Sequence, residues 1–239
     1  MKSSEKTYFN KISDSFDTGF NVYGKPAGNL RVLRRVELFA KYCSLKKGSK
    51  ILEIGCGTGE YSKALLKDDF SLLATDLSIN MLAKARIKLN AAKNITFFAS
   101  DAGYLPISDS SCDVVLGNSV LHHLETESAL KEIYRVMKKG GRFAFSEPNI
   151  LNPYIFLQKN IKFIKKLTGD SPDERAFSRR NLKKMFEGAG FKSVFIKPFD
   201  FLFPHTPSSF VNLVNKLGLL LEKTLLKEIA GSLFVTGEK

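Results

Sequence analysis

The sequence predicts an α/β fold: a seven-stranded, mostly parallel sheet with helices on both faces. Two observations predict it. From Lys50 onward, short apolar runs alternate with amphipathic stretches of helical spacing, and a glycine-rich turn joins the first run to the first stretch. Parallel neighbours need a crossover between them, and a helix supplies it, so alternation of this kind implies a parallel sheet covered on both sides.

The elements follow in order. Residues 50–55 read as a strand, 60–67 as a helix, 71–75 as a strand and 79–90 as a helix. Ser78 is a good N-cap for the second helix, because its hydroxyl can accept a free N–H of the first turn. Residues 94–99 and 112–117 are again strands. Residues 127–138 form a helix on which Leu130, Ile133, Tyr134 and Met137 recur at helical spacing, and Gly140 can take the left-handed turn that stops it. A strand over 141–146 follows. Ser178 can cap a helix to Glu187 that Gly188 and Gly190 close, and strands over 191–197 and 231–236 complete the pattern.

Two segments interrupt it. Residues 149–177 and 198–227 are rich in Phe, Leu, Ile and Lys and carry Pro153, Pro172, Pro198, Pro204 and Pro207. They read as mostly helical insertions, and residues 1–49 as an N-terminal helical arm. The 239 residues suit one α/β domain over 1–239: core segments 50–148, 178–197 and 228–239, lid insertions 149–177 and 198–227, and the arm.

The composition is that of a folded protein, with 44% hydrophobic and 26% charged residues. Met1 to Lys11 is polar and charged, without the apolar core of a signal peptide. The longest apolar stretches, such as Leu217 to Leu221, fall far short of the roughly 20 residues that cross a bilayer. Cys43, Cys56 and Cys112 are odd in number and lack metal-site spacing, so a reducing cytoplasm is expected, with no disulfide framework and no metal. The net charge is +13, and residues 131–200 hold 16 Lys/Arg against 7 Asp/Glu. Such an excess is a solvated basic surface, or it serves an anionic substrate, an anionic membrane surface or nucleic acid.

The segment Ile51-Leu52-Glu53-Ile54-Gly55-Cys56-Gly57-Thr58-Gly59 ends a buried strand and opens a helix. Glycines let the backbone turn sharply and approach a ligand, and the helix that follows offers free N–H groups at its positive end. Dinucleotide sites use Gly-x-Gly-x-x-Gly; here the sixth position is Glu60, a carboxylate where a pyrophosphate would sit. There is no Gly-x-x-x-x-Gly-Lys-Ser/Thr loop either, so nucleotide hydrolysis has no support.

Glu53-x-Gly55-x-Gly57-x-Gly59 resembles motif I of class I S-adenosylmethionine-dependent methyltransferases. Asp76, in Ala74-Thr75-Asp76-Leu77-Ser78, resembles the acidic residue that holds both ribose hydroxyls. Ser100-Asp101-Ala102 resembles the adenine-edge motif, Asp113-Val114-Val115-Leu116-Gly117-Asn118 motif IV, and Glu132-x-x-Arg135-Val136-Met137-Lys138-x-Gly140-Gly141 the helix-to-strand turn after it. Tyr8-Phe9-Asn10-Lys11-Ile12 with Phe16-Asp17 resembles the N-terminal arm of methyltransferases related to ubiquinone and menaquinone biosynthesis. The resemblance spans about residues 8–194 and implies a Rossmann-like sheet whose last strand is antiparallel. It implies S-adenosylmethionine as cofactor and S-adenosylhomocysteine as product. Carried over by residue, it puts Gly55, Cys56, Gly57 and Gly59 against the methionine part, with Glu53 orienting its amino group. Asp76 would hold the ribose with Leu77 on the adenine, Asp101 the adenine amino group beside Ala102, and the Asn118 carbonyl the methionine end.

Sulfonium methyl transfer is an in-line displacement, so the protein's main task is alignment and exclusion of water, and a base is needed only for an acceptor that must lose a proton. His122 and His123, and Glu147 after the next strand, are the candidates for it; the histidine pair can equally serve only to shape the pocket. His205 lies in the second insertion, and loop histidines are ordinarily inert. Motif IV lacks the Asn/Asp-Pro-Pro-Tyr/Phe of base-modifying amino methyltransferases, and no cysteine sits in a Pro-Cys motif. The expected acceptor is therefore an oxygen or carbon atom of a small, lipophilic or anionic metabolite. An RNA methyltransferase, or a cofactor-binding protein without turnover, is the alternative. Tyr154, Ile155, Phe156, Leu157, Ile161, Phe163 and Ile164 alternate with Lys159, Lys162, Lys165 and Lys166, and Phe199, Phe201, Leu202, Phe203 and Phe210 add aromatic bulk. An apolar lid with a basic rim suits a lipophilic acceptor and peripheral contact with an anionic membrane.

Overall fold

A computed structural model describes residues 3–17, 23–66, 70–167, 171 and 174–239. Seven strands form one sheet in the order β3-β2-β1-β4-β5-β7-β6: β1 (Lys50–Ile54), β2 (Ser71–Asp76), β3 (Ile95–Ala99), β4 (Cys112–Asn118), β5 (Met137–Pro148), β6 (Lys192–Phe199) and β7 (Ser232–Glu238). All pairings are parallel except those of β7, which runs antiparallel to both β5 and β6. The strand order reverses between β1 and β4, where an open α/β sheet forms a crevice at its carboxyl edge.

Alternation along each strand divides the core. Leu52 and Ile54 of β1, Phe143 and Phe145 of β5, and Leu233 and Val235 of β7 face one side, against Leu130, Ile133 and Val136 of α5 (Thr126–Val136) and Leu182 and Phe186 of α8 (Arg179–Gly188). Ile51, Ala144 and Phe234 face the other, against Val32, Phe39 and Cys43 of α2 (Pro26–Cys43) and Tyr61 and Leu65 of α3 (Glu60–Leu65). A period of two is what a sheet buried on both faces imposes. Phe143 stacks on Phe186 with centroids 4.3 Å apart. The predicted caps form: Ser78 Oγ accepts the Met81 N–H at the start of α4 (Ile79–Lys88), and Ser178 Oγ that of Asn181 at the start of α8, each at 3.2 Å.

Several boundaries shift from expectation, and two of the shifts have a clear physical cause. The helix expected over 127–138 ends at Val136, and Met137 already pairs with Cys112 as strand. Its last carbonyls, of Arg135 and Val136, are taken by the N–H groups of Ser110 and Ser111. A neighbouring loop therefore stops the helix, and Gly140, at φ 75°, bends β5 and donates its N–H to the Lys239 carbonyl. The strand expected to end at Lys197 runs on through Pro198 to Phe199, paired with Leu233 and Ser232. It is the edge strand, so a residue without an N–H is tolerated there.

The arm contributes α1 (Ser3–Ile12), a 3-10 turn over Ser13–Ser15, and α2. Residues 149–177 contain α6 (Pro153–Asn160) and α7 (Lys162–Leu167), and residues 198–227 contain α9 (Val211–Leu221). Tyr154 of α6 meets Phe203 edge to face, centroids 4.9 Å apart, which joins the two segments. Pro172, the expected helix end at Lys67, and the side chains of Lys162 and Lys166 lie outside the described residues. No described helix is long and apolar enough to cross a membrane.

Candidate active site

The turn from β1 into α3 is built by its glycines. Gly55 has φ 69°, and a Cβ there would sit 2.5 Å from Val120 Cγ2, so the turn can approach the loop after β4 only without a side chain. Gly55 and Cys56 both donate to the Thr75 carbonyl, at 2.8 and 3.0 Å, and Gly57 donates to Asp76 Oδ2 at 2.9 Å. Asp76 Oδ1 accepts the Ser78 N–H at 2.8 Å. Burial raises the Asp76 pKa, and these backbone N–H groups oppose the rise.

A cleft opens along the tips of β2, β1 and β4. Gly55, Cys56, Gly57, Asp76, Leu77, Ala102, Asn118 and His123, all expected at the site, line it. Gly59, Glu53, Asp101, His122 and Glu147 do not. Glu53 is 3% exposed and accepts the Ser62 hydroxyl; burial pushes its pKa up to about 8, against that hydrogen bond. Asp101 closes a local turn, accepting the Gly103 N–H at 2.9 Å, and leaves Ser100 and Ala102 at the wall. Glu60, the residue that argued against a pyrophosphate, lines the cleft and is paired with Lys88. His205 is exposed and does not line the cleft.

The three acid–base candidates form one group at the β4 end of the cleft, with His123 in its lining and His122 and Glu147 buried behind it. His122 Nδ1 lies 2.6 Å from Glu147 Oε2, and Glu147 Oε1 accepts the N–H groups of Val120 and Leu121 at 3.0 and 2.9 Å. His122 Nε2 faces Glu174 Oε1 at 3.4 Å. Burial disfavours a charged His122, but Glu147 and Glu174 outweigh it and lift its pKa to about 9. His123 goes the other way: burial and the neighbouring His122 depress its pKa, with Glu5 and Glu174 only partly offsetting them. His122, His123 and Glu174 present ligand atoms within 4.8 Å of one another. Each already has a charged partner, however: Glu147 on His122, Glu5 on His123, and Lys159 on Glu174.

Sequence reasoning did not single out Glu5, Phe9, Phe16, Tyr23, Thr58, Tyr61, Met81, Ser119 or Glu174 as site residues. Phe9, Phe16 and Tyr23 bring the arm over the cleft; Phe16 Cε1 would lie 3.5 Å from a Cβ on Gly57. The motif-like spacing of Phe9 and Phe16 was visible, but what they cover depends on tertiary packing. Two of the four lysines expected at a basic rim, Lys159 and Lys165, turn inward instead. The Lys159 side chain is 6% exposed and pairs with the half-buried Glu174 carboxylate, which such a cation stabilises, and Lys165 Nζ donates to the Glu174 backbone carbonyl at 2.9 Å.

The lining fits a polar, nucleoside-bearing ligand. Asn118 Oδ1 and Thr75 Oγ1 are buried at the cleft without a hydrogen-bond partner, and Asp76 retains acceptor capacity on both oxygens. A family model described as a methyltransferase domain matches residues 52–145. The demethylmenaquinone methyltransferase of Staphylococcus aureus is 31% identical over 179 residues, covering 66% of this chain and 74% of that protein. This chain belongs to the class I S-adenosylmethionine-dependent methyltransferases, among relatives of the enzymes of quinone biosynthesis.

Solved structures agree on the methyltransferase fold. A methyltransferase from Thermotoga maritima aligns with a TM-score of 0.71 at 22% identity, covering 98% of this chain and 99% of that one. Phosphoethanolamine N-methyltransferase 2 of Haemonchus contortus, solved with phosphomonomethylethanolamine and S-adenosylhomocysteine, aligns with a TM-score of 0.69 at 16% identity, over 99% of this chain and 58% of that one.

Proposed function

We propose that this methyltransferase transfers the methyl group of S-adenosylmethionine to an oxygen or carbon atom of a small, lipophilic metabolite. The observation that carries the reading is the placement of neutral-leaning His123 in the lining of the cofactor cleft, under the aromatic arm. Asp76 holds the ribose through its remaining lone pairs, Leu77 and Ala102 flank the adenine with Asp101 shaping the edge, and Gly55–Gly57 and Asn118 receive the methionine part. Glu53 acts from beneath, bracing α3 through Ser62. The cofactor supplies an electrophilic methyl group.

An O–H or C–H acceptor must lose a proton as the new bond forms. With the cofactor bound to supply the methyl group, His123 would take the proton that the acceptor loses. His122, held protonated between two carboxylates, is unsuited to accept that proton. Phe9, Phe16 and Tyr23 exclude water from the cleft. The acceptor class is supported by the name of the Staphylococcus aureus relative and by exposed apolar surface on the insertions, including Phe156, Leu157 and Phe163. We infer that the two helical insertions form a lid. Incubation with labelled S-adenosylmethionine and a panel of demethylquinone, phenol and amine acceptors tests the reading. Label is expected in quinone or phenol products; label confined to amines contradicts it.

A further inference from the structure

The sheet positions a base candidate, but its carboxylate partner comes from the arm. Glu5 sits on α1 and is 2% exposed, and its Oε2 lies 3.1 Å from His123 Nδ1, within ion-pair distance but outside hydrogen-bond geometry, so both buried atoms lack a formed hydrogen bond. One turn further on, Phe9 sets its ring edge to face against the His123 imidazole, with centroids 5.0 Å apart. The first turns of α1 thus present an acid and an aromatic ring to the same histidine. A buried carboxylate is costly without a charged or hydrogen-bonding partner, and the groups that offset the burial of Glu5 are His123 and the Ser171 hydroxyl.

The other end of the arm is latched to the opposite wall of the cleft. Ser78 Oγ–H donates to Asn10 Oδ1 at 2.6 Å and Asn80 Nδ2 to the Asn10 carbonyl at 3.1 Å. Lys84 pairs with Asp14 at 2.8 Å, and Lys88 with Asp17 at 2.9 Å. These partners stand on α4 and its cap, beside Asp76. One short segment therefore bridges the β2 side of the cleft to the β4 side.

We propose that Glu5 is a positioning residue for His123, and that the Glu5–His123 pair exists only while the arm lies across the cofactor cleft. The inference rests on the reading of His123 as proton acceptor. A rotation of the ring that turns Nδ1–H onto Glu5 Oε2 leaves the neutral ring's lone pair on Nε2, the atom left for the acceptor's proton. Arm closure then excludes water and sets the tautomer in one event, and an open arm leaves the histidine without its partner. Other charged groups around His123 come from its own turn and the first insertion: His122, with Glu147 behind it, and Glu174 with Lys159. None is carried by the arm.

Nitrogen-15 imidazole NMR on the full chain tests this, titrated with and without saturating S-adenosylhomocysteine. In the unaltered protein His123 should be the neutral Nδ1–H tautomer at pH 7. Glu5→Gln removes the charge, and the His123 pKa should drop by about 1 unit. A second variant, Asn10→Ala, loosens the latch without touching the pair; it should show the same shift in free protein and lose it when S-adenosylhomocysteine is added. Calorimetry on the same samples reports ligand binding separately. Normal binding with a His123 titration unmoved by Glu5→Gln overturns the inference and leaves the methyltransferase reading intact. Absence of binding counts against the assigned cofactor cleft, while the titration in free protein still decides whether Glu5 and His123 are paired.

Discussion

Asp76 Oδ2 accepts the Gly57 N–H at 2.9 Å, tying the tip of β2 to the glycine turn that follows β1. The carboxylate proposed to grip the ribose is thus also a strut of the turn proposed to cradle the methionine part. Asp76→Ala should weaken S-adenosylhomocysteine binding by about 2 kcal/mol or more, since charge-assisted hydrogen bonds are lost. Asp76→Asn, which can still accept from Gly57, should lose less. Calorimetry checks both, and equal affinity in all three proteins would mean that the ribose lies elsewhere.

Glu53 gives a stability prediction of opposite sign to the usual carboxylate. Its folded pKa of about 8 lies above its unfolded value, so the folded state favours the protonated form. Its contribution is fully present below about pH 4.5 and is lost as pH rises through 8. Glu53→Gln keeps an acceptor for the Ser62 hydroxyl and carries no charge. It should raise unfolding stability at pH 7 by on the order of 3 kcal/mol. Urea unfolding at pH 5 and pH 7 measures the effect, which should be largely absent at the lower pH.

His122 predicts a second window. Its folded pKa of about 9 lies above the unfolded value, so its stabilisation is complete below about pH 6.5 and is lost between there and pH 9. In a Glu53→Gln background, stability should fall through that interval by on the order of 3 kcal/mol. In Glu53→Gln/His122→Gln the fall should be gone, although the protein is less stable at pH 6. A slope that survives the second substitution assigns the titration to another group.

The insertions predict membrane contact. Leu213, Leu217 and Leu220 share one face of α9 and are 55%, 50% and 59% exposed, with Lys216 and Lys223 exposed beside them. An apolar face flanked by lysines suits an anionic interface. Vesicles with anionic lipid should sediment the protein more than neutral vesicles. Changing the three leucines to serine should reduce that binding at least severalfold. Equal sedimentation with both lipids removes the proposal.

Much of this was legible in the chain because strand alternation, the Ser78 and Ser178 caps and the β1 turn are local signals. Asp76, Leu77, Ala102 and Asn118 were legible for the same reason: each stands at or just beyond a strand tip, and strand tips face the crevice. The end of α5 was not, because N–H groups from Ser110 and Ser111 stop it before Gly140 does. Nor was Glu5, a polar residue near the start of a polar segment that becomes buried only when α1 meets His123. Glu174 is similar: 52 residues separate it from His122, and only folding brings them together.

Every role assigned to the site depends on the cleft over the glycine turn binding S-adenosylmethionine. Titration calorimetry of the folded 239-residue protein with S-adenosylhomocysteine is the decisive measurement. One molecule bound per chain, with affinity reduced in Asp76→Ala, is the predicted result. A cooperatively folded protein that releases or absorbs no heat with either S-adenosylhomocysteine or S-adenosylmethionine, and whose melting temperature neither ligand shifts, would contradict it.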